Sequence, residues 1–260
     1  MFLKNQELRK FLSRFKFKKR LEGCVGIERE HFLVSAAGLP VPRSPEFLKR
    51  VRDPRWTYEL SACQVEVRTR PRRDLSAINL ELLENDNNGR QVAEEMGLKL
   101  LHQEVADAAM PLGVYPNPRY RRIVRNISKQ RLRAACRVAG THLHLGVKNI
   151  SQAIALNNAA AARLDELCRL GDHSAGERLR LYKTMAENCR PVVYGGWEHF
   201  FETARAQGFV ENPRNCWQLI RISVHGTVEL RMFGCTEHID EVLDWVTRLH
   251  SIASDAGVKR

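Results

Sequence analysis

The chain has 260 residues, 43% hydrophobic and 28% charged, enough for one well-buried domain and with nothing that forces a second. No run approaches the ~18 apolar residues of a membrane span, and there is neither a P-loop nor a G-x-G-x-x-G turn. The net charge of +12 is uneven: residues 1–20 hold eight Lys/Arg against one Glu, and residues 108–164 hold ten Lys/Arg and no acid. Two local basic zones ask for two local explanations rather than one general nucleic-acid surface.

Residues 2–20 place Phe2, Leu8, Phe11, Leu12 and Phe15 on one helical stripe among basic groups. The stripe predicts a basic amphipathic helix over 1–22, either docked on the domain or touching an anionic membrane surface or RNA, followed by one domain over 23–260. GIEREHF at 26–32 then alternates as a strand, with Glu28, Glu30 and Phe32 on one face and Ile27, Arg29 and His31 on the other. A lone E-x-E is ordinarily a solvated face. Three later segments that repeat the pattern change that reading.

Residues 36–57 hold Pro40, Pro42, Pro45 and Pro54 and read as a polar turn region. ELSACQVEVRT at 59–69 puts Gln64, Glu66 and Arg68 on one face and Val65 and Val67 on the other. Glu59 has the wrong parity to join them, and a bulge or bend near Ser61 and Ala62 would bring it round. Asp74 predicts the N-cap of a helix to about residue 96, and 98–103 a short strand. NPRY at 117–120 opens the acid-free zone, where Arg119 and Arg121 suggest a polyanion such as phosphate nearby.

AGTHLHLGV at 139–147 alternates with His142 and His144 on the polar face. A single strand histidine is more often structural, but two on one polar face make a metal ligand credible. Residues 151–170, 174–190 and 197–206 read as helices, 217–224 and 227–233 as a hairpin, and 238–255 as a closing helix. On the second hairpin strand Glu229 and Arg231 share a face. Seven separated cysteines without a C-x-x-C pair, and no signal peptide, predict a reduced, cytoplasmic protein.

Strands with one apolar and one polar face predict an α+β fold: a curved, mainly antiparallel sheet with helices on its convex face. Five carboxylates with one or two histidines suit Mg²⁺ or Mn²⁺ better than Zn²⁺. Without a P-loop, a nucleotide would be held through metals and arginines.

These motifs, with GGWEHF at 195–200 and GTVELRMFG at 226–234, occur in the order seen in the carboxylate–amine ligase branch of the glutamate–cysteine ligase family, which the chain resembles from about residue 24 to 240. The strand motifs are also similar to those of glutamine synthetase, and the resemblance implies a glutamine synthetase-like catalytic domain. It further implies ATP and Mg²⁺ or Mn²⁺ as cofactors, a glutamate-like carboxylate and an amine as substrates, and an amide formed through an acyl phosphate. By the same resemblance, Glu30, Glu59 and Glu66 would hold one metal, and Glu28, His144 and Glu229 another. Arg231 would stabilise the transferring phosphoryl group, with Glu66 and Glu229 as its catalytic companions. Arg221, Arg119, Arg121, His142, Gln64 and Trp197 would bind nucleotide or substrate. The segment before Gly195 is shorter than the family's pattern and leaves the amine open. A homo-oligomer is compatible with this reading. The rivals are a degenerate relative that binds nucleotide without turnover, and a nucleic-acid- or membrane-surface-binding protein that uses the basic N-terminal helix. The last gives no reason for carboxylates gathered on strand faces.

Overall fold

The computed structural model describes the backbone of residues 2–259 and the side chains of residues 6–259, so Phe2 of the expected stripe has a side chain outside the described residues. The strands are β1 (Val25–Val34), β2 (Trp56–Tyr58), β3 (Gln64–Arg68), β4 (Lys99–Leu101), β5 (Thr141–Gly146), β6 (Ile220–Ser223) and β7 (Thr227–Phe233). They form one open sheet in the order β2-β3-β1-β5-β7-β6, with β4 pairing the end of β1, and each of these pairings is antiparallel.

The helices are α1 (Phe2–Leu12), α2 (Ser44–Val51), α3 (Leu75–Glu95), α4 (Pro118–Arg125), α5 (Lys129–Arg137), α6 (Ile150–Ala161), α7 (Leu164–Leu170), α8 (Glu177–Met185), α9 (Trp197–Ala206) and α10 (Ile239–Asp255). One sheet face carries Ile27, Leu143, Leu145, Val228 and Leu230 into a large core with Leu156 of α6, Phe200 and Phe201 of α9 and Trp245 of α10. Full burial of each large apolar side chain contributes roughly 1.5–3 kcal/mol.

The N-terminal stripe joins this core. Leu8, Phe11 and Phe15 are buried, and the Phe11 ring lies 5.2 Å from Phe200 and 5.5 Å from Phe201. The helix is shorter than the 1–22 expected: it ends at Leu12, and Lys16 N–H then donates to Val224 O. No described helix is long and apolar enough to cross a membrane.

Three local expectations need correction. The segment 59–69 is not one bent strand: β2 and β3 pair as separate antiparallel strands, and the chain reverses between them through Glu59–Cys63. Ser61 closes that reversal, its Oγ accepting from Cys63 N–H and its carbonyl from Gln64 N–H. The proline-rich region holds α2, where Pro45 fits the first helical turn and Phe47 and Val51 are buried on one side. The helix expected over 151–170 breaks into α6 and α7 around Ala162–Arg163.

The helices also divide between the two sheet faces. α4, α5 and α8 stand on the polar side and wall a cavity there. α4 owes its placement to alternation of another kind. Asn117 caps it, accepting from Arg119 N–H, and Tyr120 and Ile123, three residues apart, face inward while Arg121, Arg122 and Arg125 are exposed.

Candidate active site

The strand register places the polar residues opposite one another. Glu30 faces Glu66 across β1–β3, Glu28 faces His142 across β1–β5, and His144 faces Glu229 across β5–β7. Directly paired residues share a sheet face, so Glu28, Glu30, Gln64, Glu66, His142, His144, Glu229 and Arg231 line a cavity of about 400 Å³. Glu59 reaches it from the β2–β3 turn, and Arg68, Arg119 and Arg221 line its edges. Two expected residues are elsewhere. Trp197 starts α9 and is 41% exposed, because α9 is fixed by Phe200, Phe201 and Ala204; it does not line the cavity. Arg121 points outward from α4, on the side opposite Tyr120 and Ile123, and does not line it either.

Glu229 is fully buried and held by two guanidiniums. Arg221 on β6 donates to both its oxygens, at 2.7 and 2.9 Å, and Arg231 Nη1 donates to Oε1 at 2.6 Å. Burial alone would raise its pKa, but Arg221, His144 and Arg231 outweigh that and hold it well below the carboxylate range. The Arg231 guanidinium is further oriented by Tyr182 of α8, whose hydroxyl accepts from Nε at 3.1 Å.

Around Glu28 the balance is similar. Burial pushes its carboxyl up, but His144 and His142 pull it well below its usual value. His144 Nε2 lies 3.4 Å from Glu28 and 3.9 Å from Glu229, while its Nδ1 is fixed by Thr227 Oγ1 at 3.0 Å. Burial lowers the His144 pKa, but Glu229 and Glu28 leave it raised.

The other half of the floor is short of positive charge. Burial, with Glu30 next in weight, raises the Glu59 carboxyl to about 7, and burial with Glu28 and Glu59 raises Glu66 well above the ordinary value. Arg68, 2.7 Å from Glu66, offsets part of the rise at Glu66, and the Leu60 N–H, donating to Glu59 Oε2 at 3.3 Å, part of that at Glu59. Glu30 Oε2 is fixed by the Gly140 N–H at 2.7 Å. A divalent cation among carboxylates crowded in this way would relieve their mutual repulsion.

The donor set fits divalent ions. Among the described residues, Glu30, Glu66 and His142 bring ligand atoms within 4.8 Å of one another, as do Glu28, His142 and Glu229. His142 Nδ1 and His144 Nε2 are buried without a hydrogen-bond partner. His142 stands between the two groups, 3.5 Å from Glu28 and 3.8 Å from Glu30. A third group, His31, His102 and Cys235, lies on the opposite sheet face; there protein atoms take His102 Nδ1 and the Cys235 thiol, while both His31 nitrogens are buried without a hydrogen-bond partner. Arg29 Nη2 donates to His102 Nδ1 at 2.9 Å, and the Cys235 thiol, pushed by burial to about 12, donates to Glu30 O.

An open antiparallel sheet with a carboxylate- and histidine-lined face, flanked by arginines and lacking a P-loop, defines a glutamine synthetase-like ligase fold. The model of glutamate–cysteine ligase family 2 matches residues 24–164, and the chain belongs to this family of ATP-dependent carbon–nitrogen ligases. It is 25% identical over 258 residues to a glutamate–cysteine ligase of Natronomonas pharaonis, covering 91% of this chain and 71% of the relative. A glutamate–cysteine ligase of Haloferax volcanii is 23% identical over 268 residues, covering 90% of this chain and 70% of the relative. Among solved structures, a bifunctional glutathione synthetase from Pasteurella multocida superposes with a TM-score of 0.60 at 14% identity. That match covers 98% of this chain but only 40% of the solved one, and it speaks to the fold alone.

Sequence reasoning missed Tyr182 and Arg178, both of which line the cavity from α8. In ERLRLYKTM they read as ordinary helix residues, and only the packing of α8 over the sheet reveals their direction.

Proposed function

We propose that this chain joins a glutamate-like carboxylate to an amine at the expense of ATP, through an acyl phosphate. The observation that carries the reading is the single sheet face that gathers Glu28, Glu30, Glu66, His142, His144, Glu229 and Arg231 around one cavity. In the first step a substrate carboxylate oxygen attacks the γ-phosphorus and the bond to the ADP oxygen breaks. In the second the amine nitrogen attacks the acyl carbon, the carbon–oxygen bond to phosphate breaks, and the nitrogen loses its proton to water.

Phosphoryl transfer asks the protein for position and positive charge more than for covalent help. Glu30, Glu59 and Glu66 would hold one divalent ion, and Glu28, His144 and Glu229 another, with His142 within reach of both. Such ions supply charge neutralisation at the phosphates. Arg231 is preorganised for its part: Glu229 and Tyr182 fix the guanidinium before any substrate arrives, so it needs no reorganisation when charge develops. Arg221 keeps Glu229 ionised, and Arg119 at the rim is placed to guide an anionic substrate. The wall of Leu60, Tyr120, Ile123, Val138 and Met185 would exclude water from the acyl phosphate.

The test is ADP release across a panel of amino acids and amines with Mg²⁺, with hydroxylamine present to trap an acyl phosphate as the hydroxamate. ADP and hydroxamate appearing together, dependent on one acid, support the reading. A folded protein that hydrolyses ATP at the same rate with and without every acid overturns it. One observation favours a second reading, nucleotide binding without turnover: both Glu229 oxygens are already engaged by guanidiniums. That reading predicts thermal stabilisation by Mg²⁺ with ATP and no ADP.

A further inference from the structure

We propose that Arg178 is a positioning residue of this site: from α8 it sets where β7 carries Arg231 and how the chain at Gly140 holds Glu30. The inference rests on the ligase reading above. Arg178 is buried, 2% exposed, and its hydrogen bonds, among the described residues, go to no carboxylate. Its partners are three main-chain carbonyls. Nε donates to Ala139 O at 2.7 Å, Nη1 to Met232 O at 2.9 Å and Nη2 to Arg231 O at 3.1 Å. Burial works against its charge and outweighs Glu30 and Glu104, which favour that charge from a distance. A buried guanidinium whose hydrogen bonds all go to neutral groups is costly, so the geometry that those bonds impose needs an explanation.

The explanation lies in the strand register. Between β5 and β7, Leu143 faces Leu230 but Thr141 faces Phe233, so His142 is opposed by two residues, Arg231 and Met232. This is a β-bulge, which leaves ladder groups unpaired and re-aims a side chain. The two bulged residues are the two whose carbonyls Arg178 takes. The guanidinium fork stands in for the missing ladder partners and fixes the bulge that aims Arg231 toward Glu229 and the cavity.

The same side chain braces Glu30. Gly140 N–H donates to Glu30 Oε2 at 2.7 Å, and Gly140 O accepts from Glu30 N–H at 3.0 Å. A Cβ at position 140 would overlap the Arg178 Nη2 and crowd Phe233 O. Glycine is needed there because the Arg178 guanidinium occupies the space a Cβ would take beside the backbone that clamps Glu30. Lysine, a point charge with no planar fork, cannot span three carbonyls set at three angles.

The full chain carrying Arg178→Lys is compared with wild type in two assays. In the first, Mn²⁺ titration read by electron paramagnetic resonance, affinity is expected to fall roughly 10-fold, the scale of losing an outer-shell support. In the second, ATP-dependent hydroxamate formation, kcat per folded site is expected to fall roughly 10²-fold, the scale of an ångström-level misplacement, with the KM for ATP within about threefold of wild type. Gly140→Ala, which displaces Arg178 while keeping its charge, is expected to reproduce both losses and serves if the lysine variant does not fold. A merely structural arginine would lower Tm and leave both quantities unchanged per folded site, and that result overturns the inference. If wild type binds Mn²⁺ but forms no hydroxamate with any acid, the ligase reading fails, and the Mn²⁺ titration alone decides the role of Arg178.

Discussion

Arg221 on β6 grips both carboxylate oxygens of Glu229 on β7, its neighbour across the ladder. This bidentate pair is fully desolvated on the Glu229 side, and Arg231 closes a third bond on the same group. The two arginines differ in what remains for them to do. Arg221 also donates to Cys216 O and so is tied to the frame, whereas Arg231 lies over the rings of Tyr182 and Trp217 at the cavity. Arg231→Ala is expected to lower turnover by roughly 10³-fold or more, the scale an arginine supplies at a transferring phosphoryl group, with a smaller effect on ATP affinity. Arg221→Ala is expected to act first on stability, costing roughly 3 kcal/mol in urea unfolding because it weakens a buried pair. An unchanged single-turnover rate of acyl-phosphate formation in folded Arg231→Ala would remove that residue from the mechanism.

Glu30→Gln and Glu66→Gln are expected to abolish ATP-dependent activity while leaving the circular dichroism spectrum intact. Each puts a neutral amide in place of a carboxyl in a cluster in which burial and mutual repulsion already hold Glu59 and Glu66 up, so the metal-free variants should be at least as stable as wild type. Near-normal turnover with Mg²⁺ in both variants would reduce these glutamates to a solvated face. A companion measurement is proton release. Mg²⁺ added near pH 6.5 should drive protons off the raised carboxyls, visible as acidification of a weakly buffered sample.

Arg119→Ala and Arg121→Ala should separate cleanly. Both belong to α4, but only Arg119 lines the cavity. Arg119→Ala is expected to raise KM for an anionic substrate several-fold, an effect that shrinks with added salt. Arg121→Ala is expected to leave steady-state kinetics unchanged. Equal effects from the two would point to a diffuse field rather than a contact.

His102 gives a stability prediction on the far side of the sheet. Burial, and then the Arg29 guanidinium, lower its pKa from 6.5 to about 4. Above pH 6.5 neither folded nor unfolded chain is protonated there, and His102 adds no pH dependence. Between pH 6.5 and 4 the unfolded chain takes a proton that the folded one refuses, so stability falls as pH falls, by ~3 kcal/mol in full. Carboxylates titrate in the same range, so the quantity to measure is the difference between wild type and His102→Gln. The variant should lose less stability from pH 7 to 4; parallel curves would refute the assignment.

The four site strands were legible because alternation is a local property: Glu28 and Glu30, Gln64 and Glu66, His142 and His144, and Glu229 and Arg231 each declare a face within five residues. Residues 59–63 were not, since a reversal and a bulge both shift parity, and Ser61's paired hydrogen bonds decide between them only in three dimensions. α4 and α5 were hidden by their charge. Their eight basic residues drew attention away from the helical spacing of Tyr120 and Ile123, and from the Ser128 cap, which accepts from Arg131 N–H. Trp197 misled in the opposite way, being a conspicuous residue beside a Gly-Gly turn whose ring nevertheless faces away from the cavity.

The sheet supplies the charged floor of the cavity, and the α4, α5 and α8 segments supply much of its wall. Floor residues constrain one another through strand register, so a change at one disturbs several. Wall residues such as Ile123 and Met185 sit on separate helices and answer mainly to what they touch. A lineage could therefore exchange one amine for another by drifting along the wall while the phosphoryl-transfer chemistry stood still, and a laboratory library aimed at new acceptors should be confined to the same positions.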